Sequence, residues 1–136
     1  MNLQELKSQL VRHEGMVLKV YRDSIGIPTV GVGRNLQDVG ISEDEAMLLL
    51  DNDLLGVFND LDRYCPWWRG MSEARQMGLA DMCFNMGIKR LMGFVKTLSA
   101  MQGGRYEVAA VEMLDSKWAQ QVGKRAQTLS EMMKEG

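Results

Sequence analysis

Residues 13–34, HEGMVLKVYRDSIGIPTVGVGR, decide how this chain is read. On their N-terminal side Leu3, Leu6, Leu10 and Val11 fall on one helical face and Gly15 follows as a residue suited to end a helix. The spacing predicts a short amphipathic helix over residues 3–13, with Glu14 at its exit. From Val17 onward the character changes. Val20, Tyr21, Ile27, Thr29, Val30 and Val32 are strand formers, punctuated by Asp23-Ser24, Gly26, Pro28, Gly31 and Gly33. This pattern predicts a small, glycine-rich antiparallel ribbon.

Beyond the ribbon the chain turns helical. Ser42-Glu43-Asp44-Glu45 reads as a capping box, and Ala46, Leu49, Leu50, Leu54, Val57 and Leu61 continue as one apolar face. A helix over 43–63 follows, roughly 30 Å long at 1.5 Å per residue. Its other face is acidic, with eight Asp and Glu and no Lys or Arg between Asp38 and Asp62, and reads as solvated. Tyr64-Cys65-Pro66-Trp67-Trp68-Arg69-Gly70 breaks the pattern, with the two tryptophans expected to pack under a loop. Ser72 then caps a core helix carrying Leu79, Met82, Cys83 and Met86. Shorter helical pieces are expected at 91–101, 105–114 and 123–135, separated by Gly103-Gly104 and Ser116-Lys117-Trp118, with Trp118 in the core. The fold class is α+β, mostly α.

Composition narrows the classes of function. The 136 residues carry 16 Lys and Arg against 18 Asp and Glu, and 46% are hydrophobic, as in an ordinary globular domain. A net charge of −2 argues against nucleic-acid binding, which needs a basic footprint. Residues 71–136, with nine basic against seven acidic side chains, are the more positive half. Met1-Asn2-Leu3-Gln4-Glu5-Leu6 lacks the basic and apolar regions of a secretory signal, and no apolar run is long enough to span a membrane. The expectation is synthesis in the cytoplasm without membrane insertion. Cys65 and Cys83 fit no metal-ligand spacing and read as reduced packing residues, and the methionines Met77, Met82 and Met86 as core filler.

The acid-base inventory is short. There is one histidine, His13, read as structural, and no Ser-His-Asp, Cys-His or metal set at recognisable spacing. Gly31-Val32-Gly33 lacks the third glycine and opening helix of a dinucleotide fingerprint. Carboxylates remain. Glu14 leaves a helix end, where the negative dipole potential favours a proton-bearing carboxyl, and Asp23 follows nine residues later in the ribbon turn. Glycosidic cleavage needs such a pair, one carboxyl protonating the leaving oxygen and the other ionised to handle water or the oxocarbenium charge. Taken alone the pair is weak evidence, since two acids flanking a turn more often serve an ordinary capping or turn role.

His13-Glu14-Gly15, Tyr21-Arg22-Asp23-Ser24-Ile25-Gly26 and Pro28-Thr29-Val30-Gly31-Val32-Gly33-Arg34 together resemble the catalytic region of the phage lysozymes (endolysins) of glycoside hydrolase family 24. Asp81 to Gly87, Gly93-Phe94, Arg105-Tyr106-Glu107, Ala109-Ala110, Trp118 and Arg125-Ala126 extend the likeness from about residue 4 to 130. The resemblance implies a single lysozyme-like domain over 1–136. A lobe (14–41) and connecting helix (43–63) would lead to a helical body (64–136) completed by the helix at 3–13.

It further implies hydrolysis of the bond between N-acetylmuramic acid and N-acetylglucosamine in peptidoglycan, with inversion. Glu14 would be the general acid, Asp23 the second carboxylate and Thr29 the hydroxyl that helps hold the attacking water. Phe84, Asn85 and Thr97 would contact sugar. No cofactor or metal is implied. Host-cell lysis by a monomer that reaches the wall after a holin opens the inner membrane completes the expectation. Two features depart from the family pattern. Arg34 stands where a histidine paired with a buried aspartate is usual, and only residues 35–41 separate the ribbon from the connecting helix. A lytic transglycosylase on the same fold, which would not need Asp23 and Thr29, and a non-catalytic glycan-binding relic are the alternatives.

Overall fold

A computed structural model describes all 136 residues. Helix α1 spans Leu3–Glu14, opened by Asn2, whose Oδ1 accepts the Glu5 N–H at 3.0 Å, and closed at Gly15, whose N–H donates to the Val11 carbonyl at 2.8 Å. Strands β1 (Val17–Arg22), β2 (Pro28–Gly31) and β3 (Arg34–Asn35) follow, then α2 (Glu43–Tyr64). A 3-10 turn at Pro66–Gly70 leads to α3 (Glu73–Met86), α4 (Ile88–Leu91), α5 (Val95–Gln102), α6 (Tyr106–Leu114), α7 (Lys117–Val122) and α8 (Lys124–Glu135). Eight helices and one three-stranded sheet make the chain α+β and mostly α, a lysozyme-like arrangement of elements.

The chain divides into two compact units, Met1–Leu48 and Leu49–Gly136. In the first, the antiparallel sheet has the order β1-β2-β3, with Tyr21 opposite Thr29, Arg22 opposite Pro28, and Thr29 in turn opposite Asn35. A register irregularity between Val17 and Tyr21 bends β1. Residues 35–41 are a tight turn in which the Asn35 and Asp38 side chains are joined at 3.0 Å and the Asp38 N–H donates back to Asn35 Oδ1 at 2.9 Å. Apart from Thr29, this unit buries no residue fully, because so short a segment encloses little interior.

The second unit holds the core. Leu79, Met82, Leu91, Met101, Met113, Trp118, Leu129 and Met133 are all inaccessible or nearly so. Helices α3 and α6 pack on α8, and α5 packs on α6. Cys65 and Cys83 are buried free thiols, as expected of packing residues. Trp68 is buried against Phe58 in a stacked pair, and its indole N–H donates to Asp62 at 2.8 Å.

Four expectations are corrected. Ser116-Lys117-Trp118 is not a separator, because Ser116 accepts the Ala119 N–H at 3.1 Å and caps α7. The expected 91–101 helix is broken at Met92-Gly93, where Gly93 and Phe94 donate to Arg90 and Leu91 in tighter turns. Met77 is exposed rather than core. On the apolar side of α2, Ala46 and Leu49 are also exposed, and only Leu61 is fully covered.

Candidate active site

Glu14 is the last residue of α1 and is exposed, and Gly15 turns the backbone out of the helix with φ 79°. Its carboxyl lies against the β2–β3 turn. A Cβ built on Gly33 would stand 2.9 Å from Glu14 Oε2 and 3.3 Å from its Cδ. Glycine leaves that space to the carboxyl where it stands, and the φ of +69° at Gly33 suits glycine as well.

Asp23 begins the turn joining β1 to β2. Its Oδ1 accepts the N–H groups of Ile25 at 3.0 Å and Ile27 at 2.9 Å, while its own N–H donates to the Ile27 carbonyl at 3.0 Å. Asp residues favour turns because they can accept backbone N–H groups in this manner. Both side-chain bonds fall on one oxygen, so the carboxylate is held in orientation while Oδ2 stays available. Arg22 braces the same turn by donating to the Gly26 carbonyl at 2.9 Å.

Thr29 sits in the central strand, 4% exposed, and its hydroxyl donates to the Ile27 carbonyl at 2.8 Å. With the proton committed, the hydroxyl presents lone pairs and can only accept from a third partner. Ile27 thus ties the two side chains together, its N–H oriented on Asp23 and its carbonyl on Thr29.

The ribbon is anchored to the start of α2 by Arg34. Its Nη1 donates to Glu45 Oε1 at 2.8 Å and to the Gly40 carbonyl at 3.0 Å. The Glu45 Oε1 atom also accepts the Ser42 N–H at 2.9 Å, and the Glu45 N–H returns to Ser42 Oγ at 3.1 Å, completing the expected capping box. The Arg34 guanidinium first, and the Ser42 N–H second, hold the Glu45 carboxyl down to about 2.

In the second unit, Phe84 and Asn85 lie in the last turn of α3. Phe84 is 42% exposed, beside a groove of about 490 Å³ that Phe58, Trp68, Arg69, Asp81 and Arg125 also line. Asn85 Oδ1 accepts the indole N–H of the buried Trp118 at 2.8 Å. Since an indole can only donate, the amide is oriented and its NH2 group is left free. Thr97, in α5, is 3% exposed and lines a separate cavity with Phe94, Glu112, Asp115 and Ser116. The three expected sugar contacts are therefore not gathered around one groove: Phe84 lines one, Thr97 another, and Asn85 is placed by its bond to Trp118.

The chain as a whole is similar to known proteins. A family model described as phage lysozyme matches residues 11–134. The chain belongs to the phage lysozyme family. It is 32% identical to the pre-baseplate central spike protein Gp5 of Enterobacteria phage T4 over 89% of this chain, and spans only 26% of that protein's length. It is 31% identical to the SAR-endolysin of Escherichia phage Mu over 85% of this chain and 67% of that protein. A probable T4-type lysozyme of Dictyostelium discoideum is 24% identical over 96% of this chain and 94% of that protein.

Within this phage lysozyme unit, three features escape a reading by residue type. The seat that Gly33 provides for Glu14 depends on a backbone approach, though the spacing Thr29, Gly31, Gly33 marks the place. The Asp23 cradle needs the turn geometry, for which Asp23-Ser24-Ile25-Gly26 is the available signal. The pairing of Arg34 with Glu45 had a signal only in the capping box.

Proposed function

We propose that this chain is a peptidoglycan muramidase that hydrolyses the β-1,4 bond between N-acetylmuramic acid and N-acetylglucosamine with inversion, in host-cell lysis. The observation that carries the reading is the hydrogen-bond pattern of Asp23 and Thr29. One side chain is an oriented carboxylate with a free oxygen, the other a hydroxyl reduced to an acceptor, and Ile27 links them. A water between them donates one proton to each and keeps a lone pair for the anomeric carbon.

The Glu14 carboxyl gives its proton to the glycosidic oxygen as the bond to the leaving sugar breaks. Water attacks the opposite face of the ring, Asp23 takes its proton, and the new hemiacetal has inverted configuration. Proton exchange with solvent restores both carboxyls. Phe84 offers a ring face and Asn85 an amide N–H to the glycan, whereas the nearly covered Thr97 offers least. Access to the wall through a holin lesion belongs to the same proposal; no helix of the chain is long and apolar enough to cross a membrane.

Purified peptidoglycan incubated with the protein is expected to release new reducing ends, with the α anomer formed first by NMR. Undiminished activity in Glu14→Gln would sink the assignment, and 1,6-anhydro-muramic products would mean transglycosylation instead. The likeness to the phage T4 spike protein favours a second setting for the same chemistry, a lysozyme segment carried on the particle. Its detection in purified virions by antibody, against detection only in lysates, separates the two.

A further inference from the structure

We infer that Gly33 is a positioning residue for Glu14, its missing side chain being the seat on which the Glu14 carboxyl rests. This deepens the reading of Glu14 as general acid and rests on it. Three ion pairs occur in the chain, Arg34–Glu45, Arg69–Asp62 and Arg125–Asp81, and Glu14 is in none of them. No side-chain hydrogen bond restrains its carboxyl either, and it lies against Gly33. A Cβ at Gly33 would meet Oε2 at 2.9 Å, Cδ at 3.3 Å and Cγ at 3.5 Å, so the bare Cα face lies along the length of the side chain. Ordinary contact begins near 3.4 Å, so a methyl group at Gly33 would push Oε2 back by about 0.5 Å.

Displacing a reacting group by about 1 Å costs on the order of 100-fold in rate, so about half of that shift corresponds to roughly tenfold. The ribbon supplies its own control. Gly31 has the same φ of +69°, yet a Cβ there meets nothing within 4 Å. Alanine at either position carries the same kind of left-handed backbone strain, but only at Gly33 does it also strike Glu14.

Gly31→Ala and Gly33→Ala are compared in the full chain, with folded fraction followed by thermal unfolding. The carboxyl of Glu14 is followed by its ¹³Cδ resonance, assigned through its loss in Glu14→Gln. The expected result is a kcat on soluble peptidoglycan fragments about tenfold lower in Gly33→Ala than in Gly31→Ala, with KM similar. The Glu14 resonance should shift in Gly33→Ala alone. Equal losses of kcat in the two variants, or a Glu14 resonance that stays put in Gly33→Ala, would overturn the inference.

If Gly33→Ala does not fold, the double variant Glu14→Ala/Gly33→Ala removes the obstructed atoms. It should then recover the thermal midpoint of Gly31→Ala, and failure to recover also overturns the inference. Activity retained in Glu14→Gln would refute the reading of Glu14 as the acid without touching the resonance result, so the two failures are distinguishable.

Discussion

Arg34 and Glu45 meet at 2.8 Å, on the same carboxylate oxygen that accepts the Ser42 N–H. One atom thus joins the ribbon's last strand to the capping box of α2. The Glu45 carboxyl, ordinarily at 4.5, is lowered to about 2 by Arg34 first and by Ser42 second. A group whose pKa is lower folded than unfolded stabilises the folded state above its unfolded value and loses that contribution as pH falls through the folded one. The contribution is therefore complete above about 4.5 and is lost between about 4.5 and 2. Glu45→Gln should be less stable than the parent at pH 6 and converge with it near pH 2, as followed by urea unfolding at each pH. A constant difference across that range would contradict the ion pair.

Asp23 has a structural duty separable from its proposed chemical one. Asp23→Asn retains an oxygen for the Ile25 and Ile27 N–H groups, whereas Asp23→Ala removes the acceptor of both bonds. At about 0.5–1.5 kcal/mol per bond, Asp23→Ala should lose about 1–3 kcal/mol and Asp23→Asn little. Turnover should fall in both, by roughly 100-fold or more if Asp23 handles the water. Denaturant titration beside a reducing-end assay measures the two effects separately.

The hydroxyl of Thr29 allows a finer test. Thr29→Ser keeps the donor to the Ile27 carbonyl and the acceptor for water, while Thr29→Val keeps the shape and loses both. Activity should survive in Thr29→Ser and drop sharply in Thr29→Val, measured as turbidity loss of permeabilised Gram-negative cells. Equal activity in the two would remove Thr29 from the water site.

Asn85 closes the polar end of a buried tryptophan. Asn85→Ala leaves the Trp118 indole N–H without its partner, a change expected to cost about 1–3 kcal/mol, whereas Asn85→Asp retains an acceptor. Guanidinium unfolding of the two variants checks this. A small, equal effect would mean that the contact to Trp118 carries no net stability.

The two cysteines give a probe of opening in the helical unit. Burial pushes the Cys83 thiol up to about 11 and raises that of Cys65, and the thiolate is the reactive form. Both should react with a thiol reagent at pH 8 far more slowly than in the unfolded chain, with a rate that rises as denaturant approaches the unfolding midpoint. Fast reaction in native buffer would contradict their burial.

Local signals carried much of the fold. Ser72 caps a helix because a short polar side chain can accept a freed N–H, and Ser42 with Glu45 caps α2 reciprocally. Such effects span three residues and are visible in the sequence. Where the expectation failed, the deciding contact was less apparent. Trp118 looked like part of a separator, yet Ser116 caps a helical turn that delivers its indole to Asn85, 33 positions away. Met77 shares a composition with Met82, but a helix in contact with neighbours on one side buries one and exposes the other.

The amino-acid sequence by itself determined that the chain is mostly helical with one glycine-rich ribbon, and that Glu14, Asp23 and Thr29 frame it, because capping, periodicity and motif spacing are local properties. Tertiary structure alone decided what each side chain touches: Glu14 against the bare face of Gly33, Arg34 on Glu45, and Asn85 on Trp118. Those contacts join positions 11 to 33 residues apart. They arise from chain closure and steric exclusion, which have no signature in residue type until the backbone has brought the partners together.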